Sequence, residues 1–404
     1  MKVLFINANC GVGSTGRICV DLYSFLKARG HEAKIAYATT PALGCDLSDT
    51  YKIHGRTDYY IHNILAKLTD RTGLFSNNVT HHLIEYINSE NPDIIHLHNL
   101  HGYYVNYKIL FDYLAAIGKP VIWTLHDCWA FTGHCAHFDM YGCDKWKYGC
   151  NKCKYLSSYP KSWLIDSSAY NYKLKEELLL RLKDNLVIVP VSYWLESLVR
   201  QSFLQNHEIM TIHNGIDISV FKPNYNPSLL QRFNLVGKKI ILGVAAPWSD
   251  YKGLPDFFKL REKLDETYSI ILVGLSESQI ANLPNDIIGL EKTDSVEQLS
   301  QFYSIADVFI NTTYCDNYPT VNLESISCGT PVITYNTGGS PEAVDDFTGK
   351  VVSQGDINEL VFTIKDLIKI PKEQMSKLCR MRAIDNFDKN KIFNIYMNLY
   401  KERI

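Results

Sequence analysis

The chain has 404 residues, more than one ordinary core takes when domains run about 100 to 200 residues, so two domains are expected. Lysine plus arginine number 41 against 43 aspartate plus glutamate, which excludes a general basic field for nucleic acid or anionic lipid. No apolar run reaches about 18 residues, and Met1-Lys2 leads directly into Val3-Leu4-Phe5-Ile6 without a signal-peptide pattern, so a cytoplasmic protein is expected.

Short apolar strands alternate with helical stretches along the whole chain, the pattern of parallel sheets built from βαβ units. In the first half the predicted strands are Val3 to Ile6, Lys34 to Ala38, Ile94 to Leu97, Val121 to Leu125, Val187 to Pro190 and Met210 to Ile212. Behind the first of them, Gly11, Gly13, Ser14, Thr15 and Gly16 form a loop that opens a helix. Its glycines let a ligand approach the backbone, and the helix start favours a diphosphate. The spacing matches neither the dinucleotide fingerprint nor a P-loop, so a plain tight turn competes.

His96, His98 and His101 cluster at the end of the third strand. His96 and His98 share a strand face while His101 falls in the loop, so acceptor binding or hydrogen bonding to site residues is expected over zinc. His126 and Asp127 follow the fourth strand. A Cys-rich insert over 128–158 comes next, in which Cys135, Cys143, Cys150 and Cys153 stand out. Four thiolates there can close a tetrahedral structural zinc site in a loop without apolar periodicity. Disulfides, which a cytoplasmic location disfavours, and free thiols are the competing readings. Tyr141, Trp146, Tyr148 and Tyr155 beside the cysteines either meet an acceptor glycan or a lipid carrier, or simply cover the insert.

Residues 217–238 carry two prolines and no long apolar period and read as a linker. A second alternation follows, with strands Ile240 to Val244, Ser269 to Val273, Asp286 to Ile288, Asp307 to Ile310 and Pro331 to Thr334. Lys252, at a loop end just before a helix, can reach a diphosphate, whereas a solvated surface lysine is the plain alternative. Asp316-Asn317-Tyr318-Pro319-Thr320-Val321-Asn322-Leu323-Glu324 is the most informative segment. Thr320, Val321 and Asn322 fall in a first helical turn after Pro319, where backbone N–H groups lack intrahelical partners and favour an anion. Glu324, about one turn on, is placed to hold two vicinal ribose hydroxyls, and Asp316 faces the group beyond the phosphates. This is the layout of a nucleotide-sugar site. The last helix places Ile392, Ile395, Tyr396 and Leu399 on one apolar face.

The segment DNYPTVNLE resembles the E-x7-E region of the retaining GT-B glycosyltransferases, in particular glycosyltransferase family 4. The opening strand and Gly loop, TLHD, IHNGIDISVFKP and WSDYKGLPDFFKL resemble further motifs of that family in the same order over nearly the whole chain. The resemblance implies an α/β GT-B fold, with two Rossmann-like doubly wound domains facing each other across a cleft: an acceptor-side domain over 1–216, the linker over 217–238, a nucleotide-sugar donor domain over 239–385 and a helix over 386–404 crossing back.

It also implies a retaining hexosyltransferase that moves a sugar from a UDP- or GDP-linked donor to a growing, lipid-linked bacterial glycan of capsule, exopolysaccharide or O-antigen type. The catalytic positions carried over are His126 near the donor sugar, Asp316 on the sugar, Glu324 on the ribose and Lys252 on the diphosphate, with Ile288, Gly289 and Leu290 meeting the base through backbone atoms. No Asp-x-Asp occurs, so catalysis without a metal is expected, the departing phosphate taking the acceptor proton.

Two departures stand out. Asp316 replaces the usual glutamate, which puts the contacted sugar hydroxyls in doubt, and Pro247 stands where the family often has an arginine, leaving Arg17 or Lys350 as substitutes by charge alone. A nucleotide-sugar epimerase and a catalytically silent nucleotide-sugar-binding subunit are the rival readings. Partners are the donor, a glycan acceptor and peripheral contact at the inner face of the cytoplasmic membrane, and nothing in the sequence sets an oligomeric state.

Overall fold

The computed structural model describes residues 1–38 and 41–404. The chain divides into two compact units, one made of Met1–His213 with Phe393–Ile404 and the other of Asn214–Ile392.

The first unit is a seven-stranded sheet of β1 (Lys2–Asn7), β2 (Glu32–Tyr37), β3 (Thr50–Lys52), β4 (Ile94–Leu97), β5 (Val121–Leu125), β6 (Leu186–Pro190) and β7 (Glu208–Ile209). They lie in the order β3-β2-β1-β4-β5-β6-β7, every pairing parallel. Every residue of β4, β5 and β6 is buried, as expected of strands covered by helices on both faces, which is why they read as unbroken apolar runs. The edges read less well. β3 has no buried residue and gave no apolar signal. β7 lies just before the expected Met210 to Ile212, although that stretch still runs beside β6, with Met210 N–H donating to Ile188 O at 3.0 Å and Ile212 N–H to Pro190 O at 3.1 Å.

The helix Lys389–Lys401 ends in this unit. Its buried side chains include Phe393, Tyr396, Leu399 and Tyr400, whereas Ile395 is 38% exposed. The expected face is thus rotated, with Phe393 and Tyr400 taking the part given to Ile395. Phe393 meets Phe25 edge-on at 5.6 Å. Each such buried ring is worth about 1.5 to 3 kcal/mol of transfer free energy.

The second unit is a six-stranded parallel sheet of β8 (Lys239–Val244), β9 (Tyr268–Val273), β10 (Ile287–Leu290), β11 (Val308–Asn311), β12 (Val332–Tyr335) and β13 (Gly349–Val352), in the order β10-β9-β8-β11-β12-β13. β13, an edge strand with two exposed central residues, was not expected. The expected linker over 217–238 is also different. It holds the helix Pro227–Arg232, capped by Asn226, and buries Phe221, Leu229 and Leu235. Arg380 secures its start by donating to the carbonyls of Ile218 at 2.9 Å and Phe221 at 3.0 Å.

In both sheets the strand order reverses once, between β1 and β4 and between β8 and β11. Open parallel sheets bind ligands outside the carboxyl ends of their strands at such a switch point. Among the described residues no helix is long and apolar enough to cross a membrane.

Candidate functional site

In the second unit the switch point gathers the loops after β8 and β11. They are stitched together: Tyr314 N–H donates to Tyr251 O at 2.7 Å, and Thr312 Oγ1 donates to Lys252 O at 3.0 Å. Gly253, at φ 72°, lies so close that a Cβ would stand 2.3 Å from Thr312 O. This seam brings Lys252 Nζ to 2.6 Å from Asp316 Oδ2, with about a fifth to a quarter of each side chain exposed. Burial works against the Lys252 charge, but the adjacent Asp316 carboxylate outweighs it and holds the ammonium above its ordinary pKa. The Gly338-Gly339 loop presses on the same residue. A Cβ on Gly338 would stand 1.8 Å from Asp316 O, and Gly339 N–H donates to that carbonyl at 3.2 Å.

The helix Thr320–Ser327 begins right after Pro319, as the spacing predicts. Asn322, however, is used by the fold. Its N–H returns to Pro319 O at 3.2 Å and its buried side chain accepts from Asn311 Nδ2 at 2.9 Å. The other two residues expected to greet an anion, Thr320 and Val321, lie in the first turn of the same helix. Glu324 is 4% exposed and accepts from Tyr303 OH at 3.0 Å. Tyr303 was missed in the sequence, for it lies 21 residues away on another helix.

Ile288, Gly289 and Leu290, expected to meet the base, lie in the edge strand β10, and Leu290 O accepts from Gly274 N–H at 2.9 Å. Lys350 sits within β13 and pairs with Asp346 at 3.4 Å.

In the first unit, Gly13, Ser14 and Thr15 form the opening turn of the helix Gly13–Lys27 at the β1 switch point. Gly11, at φ 74°, could not carry a side chain because a Cβ would stand 2.1 Å from Leu43 O. Gly16 is buried, with its Cβ position 3.2 Å from Gly11 N. Asn7 ties the end of β1 to the loop after β4, its Oδ1 accepting from Asn99 N–H at 3.3 Å.

His126 follows β5, and its Nε2 lies 3.0 Å from Nδ1 of His98, which follows β4; the rings stack at 5.3 Å. Burial pushes His126 down to about 4, against the pull of Asp127, and His98 well below the ordinary range. Both rings are therefore neutral. His98 Nε2 is buried without a hydrogen-bond partner. A proton there would be an orphaned donor, so the better tautomer of His98 carries its proton on Nδ1 and donates to His126 Nε2. His126 then holds its own proton on Nδ1 and acts as a hydrogen-bond donor through that atom. His101 bonds Asp127 at 2.7 Å, and His96 bonds Tyr400 OH at 2.6 Å and Thr124 Oγ1 at 2.8 Å. The three strand-end histidines thus serve as hydrogen-bonding supports.

None of the eleven cysteines is joined in a disulfide. Cys135, Cys143, Cys150 and Cys153 line one cavity. Around it the insert packs on itself: Trp146 stacks on Phe138 at 5.0 Å and Tyr141 on Tyr155 at 4.2 Å. Only Tyr148 of the four expected aromatics is largely exposed, at 87%.

Two parallel α/β units, each with ligand-type loops at a sheet switch point, define the GT-B fold of nucleotide-sugar-dependent glycosyltransferases. The family model Glycosyltransferase Family 4 matches residues 15–220 and the model Glycosyl transferases group 1 matches residues 228–382. The chain belongs to glycosyltransferase family 4.

It is 28% identical over 284 residues to the glycosyl transferase WcaC of Escherichia coli strain K12, assigned to colanic acid biosynthesis, a match covering 67% of this chain and 66% of that protein. It is 25% identical over 194 residues to the D-inositol 3-phosphate glycosyltransferase of Mycobacterium sp. strain KMS, covering 45% of this chain and 44% of the relative. The chain therefore spans less than two thirds of these relatives' lengths. Among solved structures, sucrose-phosphate synthase of Thermosynechococcus elongatus superposes with a TM-score of 0.72 at 15% identity, covering 100% of this chain and 98% of that one. Anabaena HepE in complex with UDP-glucose gives 0.66 at 16% identity over 100% of both chains. These likenesses concern the fold.

Proposed function

We propose that the protein is a retaining glycosyltransferase that transfers a hexose or deoxyhexose from a UDP- or GDP-linked donor to a growing, lipid-linked glycan of a bacterial polysaccharide, working without a catalytic metal at the cytoplasmic face of the membrane. The observation that carries this reading is the meeting of Lys252 and Asp316 at the β8/β11 switch point, beside the helix that bears Glu324. A cation, two carboxylates and a helix start are the groups a nucleotide diphosphate sugar needs. The relationship to WcaC supports a polysaccharide product, and the HepE complex with UDP-glucose supports a nucleotide-sugar donor.

In this mechanism the Lys252 ammonium and the N–H groups of Thr320 and Val321 stabilise the diphosphate as the glycosidic bond to it breaks. Glu324 accepts hydrogen bonds from the ribose. Asp316 accepts from hydroxyls of the donor sugar, and His126 donates from Nδ1 toward the sugar as charge develops at its anomeric carbon. The incoming hydroxyl attacks from the face the phosphate leaves, and the departing phosphate oxygen takes the hydroxyl proton, so no side chain acts as general base.

The test is calorimetric titration with UDP, GDP, ADP and their sugar conjugates, followed by transfer from the selected conjugate to membrane lipid extracts. Selective binding of one nucleotide with label transferred to glycolipid is expected. Binding without transfer, or pathway output unchanged by Lys252→Ala and Glu324→Ala, would favour the silent subunit.

A further inference from the structure

Between Thr132 and Ser167 the first unit has no α-helix or strand, only the short turns Asp139–Tyr141 and Lys145–Lys147. A stretch of that length needs something other than backbone ladders to hold it. Five donor side chains converge on its cavity, namely those of His134, Cys135, Cys143, Cys150 and Cys153. The turn that joins the last two cysteines is tight, with Lys152 at φ 42° and Lys145 Nζ donating to Asn151 O at 2.9 Å and Lys152 O at 3.1 Å. Cys150 Sγ accepts from Gly133 N–H at 3.2 Å, as a thiolate would.

Two further observations concern charge. Lys175 is 2% exposed, and its ammonium donates to the carbonyls of Trp129 at 2.6 Å and Thr132 at 3.0 Å. The same ammonium lies 3.5 Å over the Trp129 ring, and a buried cation held only by carbonyls and a ring face calls for an anion nearby. His134 is 3% exposed; its Nδ1 is held by Asp70, and its Nε2, in the wall of the cavity, is buried without a partner. The Asp70 carboxylate fixes this ring in the wall of the cavity that the four sulfurs line.

We propose that this insert holds one structural zinc ion on the thiolates of Cys135, Cys143, Cys150 and Cys153, with Lys175 as a charge partner. Four thiol protons leave to solvent on binding. The four thiolates and Zn²⁺ carry a net charge of two negatives, which the buried Lys175 ammonium partly offsets. Among the described residues no three His, Cys, Asp or Glu side chains yet stand at the mutual spacing of a metal centre, so the sulfurs turn inward to reach the Zn–S distance of about 2.3 Å.

The test measures metal on the purified full chain by mass spectrometry, with native thiol titration and cobalt substitution on the same preparation, and does not involve sugar transfer, so its failure leaves the proposed activity untouched. About one zinc per chain is expected, with the four thiols protected until a chelator removes it and a four-thiolate cobalt spectrum. Cys153→Ser should lower zinc at least tenfold while Cys45→Ser retains it. Less than about a tenth of an ion per chain after incubation with zinc, disulfides among the four cysteines, or a cobalt spectrum with nitrogen ligation would each overturn the proposal.

Discussion

Lys252 and Asp316, 64 residues apart in sequence, form a direct ion pair at 2.6 Å, so the residue read as a phosphate clamp and the residue read as a sugar clamp are bonded to one another. A diphosphate arriving there competes with Asp316 for the ammonium. Lys252→Ala should weaken nucleotide diphosphate binding by about ten- to a hundredfold, the scale of a charge-assisted hydrogen bond. Asp316→Asn should bind the nucleotide at least as well as wild type yet lose transfer by about a hundredfold. Calorimetry on both variants decides: equal loss of binding in the two would make the pair a structural brace only.

Glu324 depends on Tyr303 for one oxygen. Tyr303→Phe removes that donor from a buried carboxylate, at a cost of about 1 to 3 kcal/mol. The variant should melt several degrees lower and show weakened binding of nucleotides, and bound nucleotide should recover part of the lost stability. An unchanged melting temperature and affinity would rule out the Tyr303 bond as a support of the ribose site.

His98 positions His126 without being asked to touch substrate. His98→Asn keeps an N–H where Nδ1 stands, and should hold His126 in the Nδ1–H tautomer with kcat within about threefold of wild type. His98→Leu should release the tautomer and lower kcat by about ten- to a hundredfold, with little change in KM for the donor. Nitrogen-15 spectra of the His126 ring read the tautomer directly, and a proton on Nε2 in the wild type would refute the assignment.

All thirteen histidines fall within Met1–His213, and burial holds several of them neutral, His96 and His62 at about 3 and His126 at about 4. Unfolded histidines titrate near 6.5. Below that pH the unfolded chain binds protons that the folded chain refuses, so the stability contributed by these groups is full above about 6.5 and is lost as pH falls toward the folded values. At about pH 5 each costs roughly 2 kcal/mol. Burial would lower His134 too, but Asp70 outweighs it and raises that residue, offsetting one of the others. Acid should therefore unfold the first unit before the second. Proteolysis with pepsin over about pH 3 to 6 checks this, and first cuts within residues 214–392 would contradict it.

How much could be read in advance follows burial. Strands covered on both faces, such as Ile94–Leu97 and Val121–Leu125, announce themselves as apolar runs. Thr50–Lys52 and Gly349–Val352 lie at sheet edges, where pairing asks little of side chains, and were silent. At the candidate site the helix start after Pro319 was legible from local chemistry. The bonds from Tyr303 to Glu324 and from His98 to His126 were not, because they depend on which helix or strand lies alongside. The alternation that put His96 and His98 on one face did foretell their stacking at 4.4 Å. The strand expected over Asp286 to Ile288 in fact runs on through Gly289 to Leu290, and the absent side chain of Gly289 makes room for Leu283, whose Cδ1 stands 2.4 Å from the Cβ position.

Tyr396 and Tyr400 reach Thr124 and His96 from the last helix, after the whole of the second unit has intervened in the chain. On the ribosome the second unit, contiguous over Asn214–Ile392, has all its residues before the first unit receives its final helix. Until those tyrosines emerge, His96 Nδ1 lacks the Tyr400 hydroxyl and Thr124 Oγ1 keeps only its bond to His96. The unit that begins synthesis first is thus the one that finishes folding last.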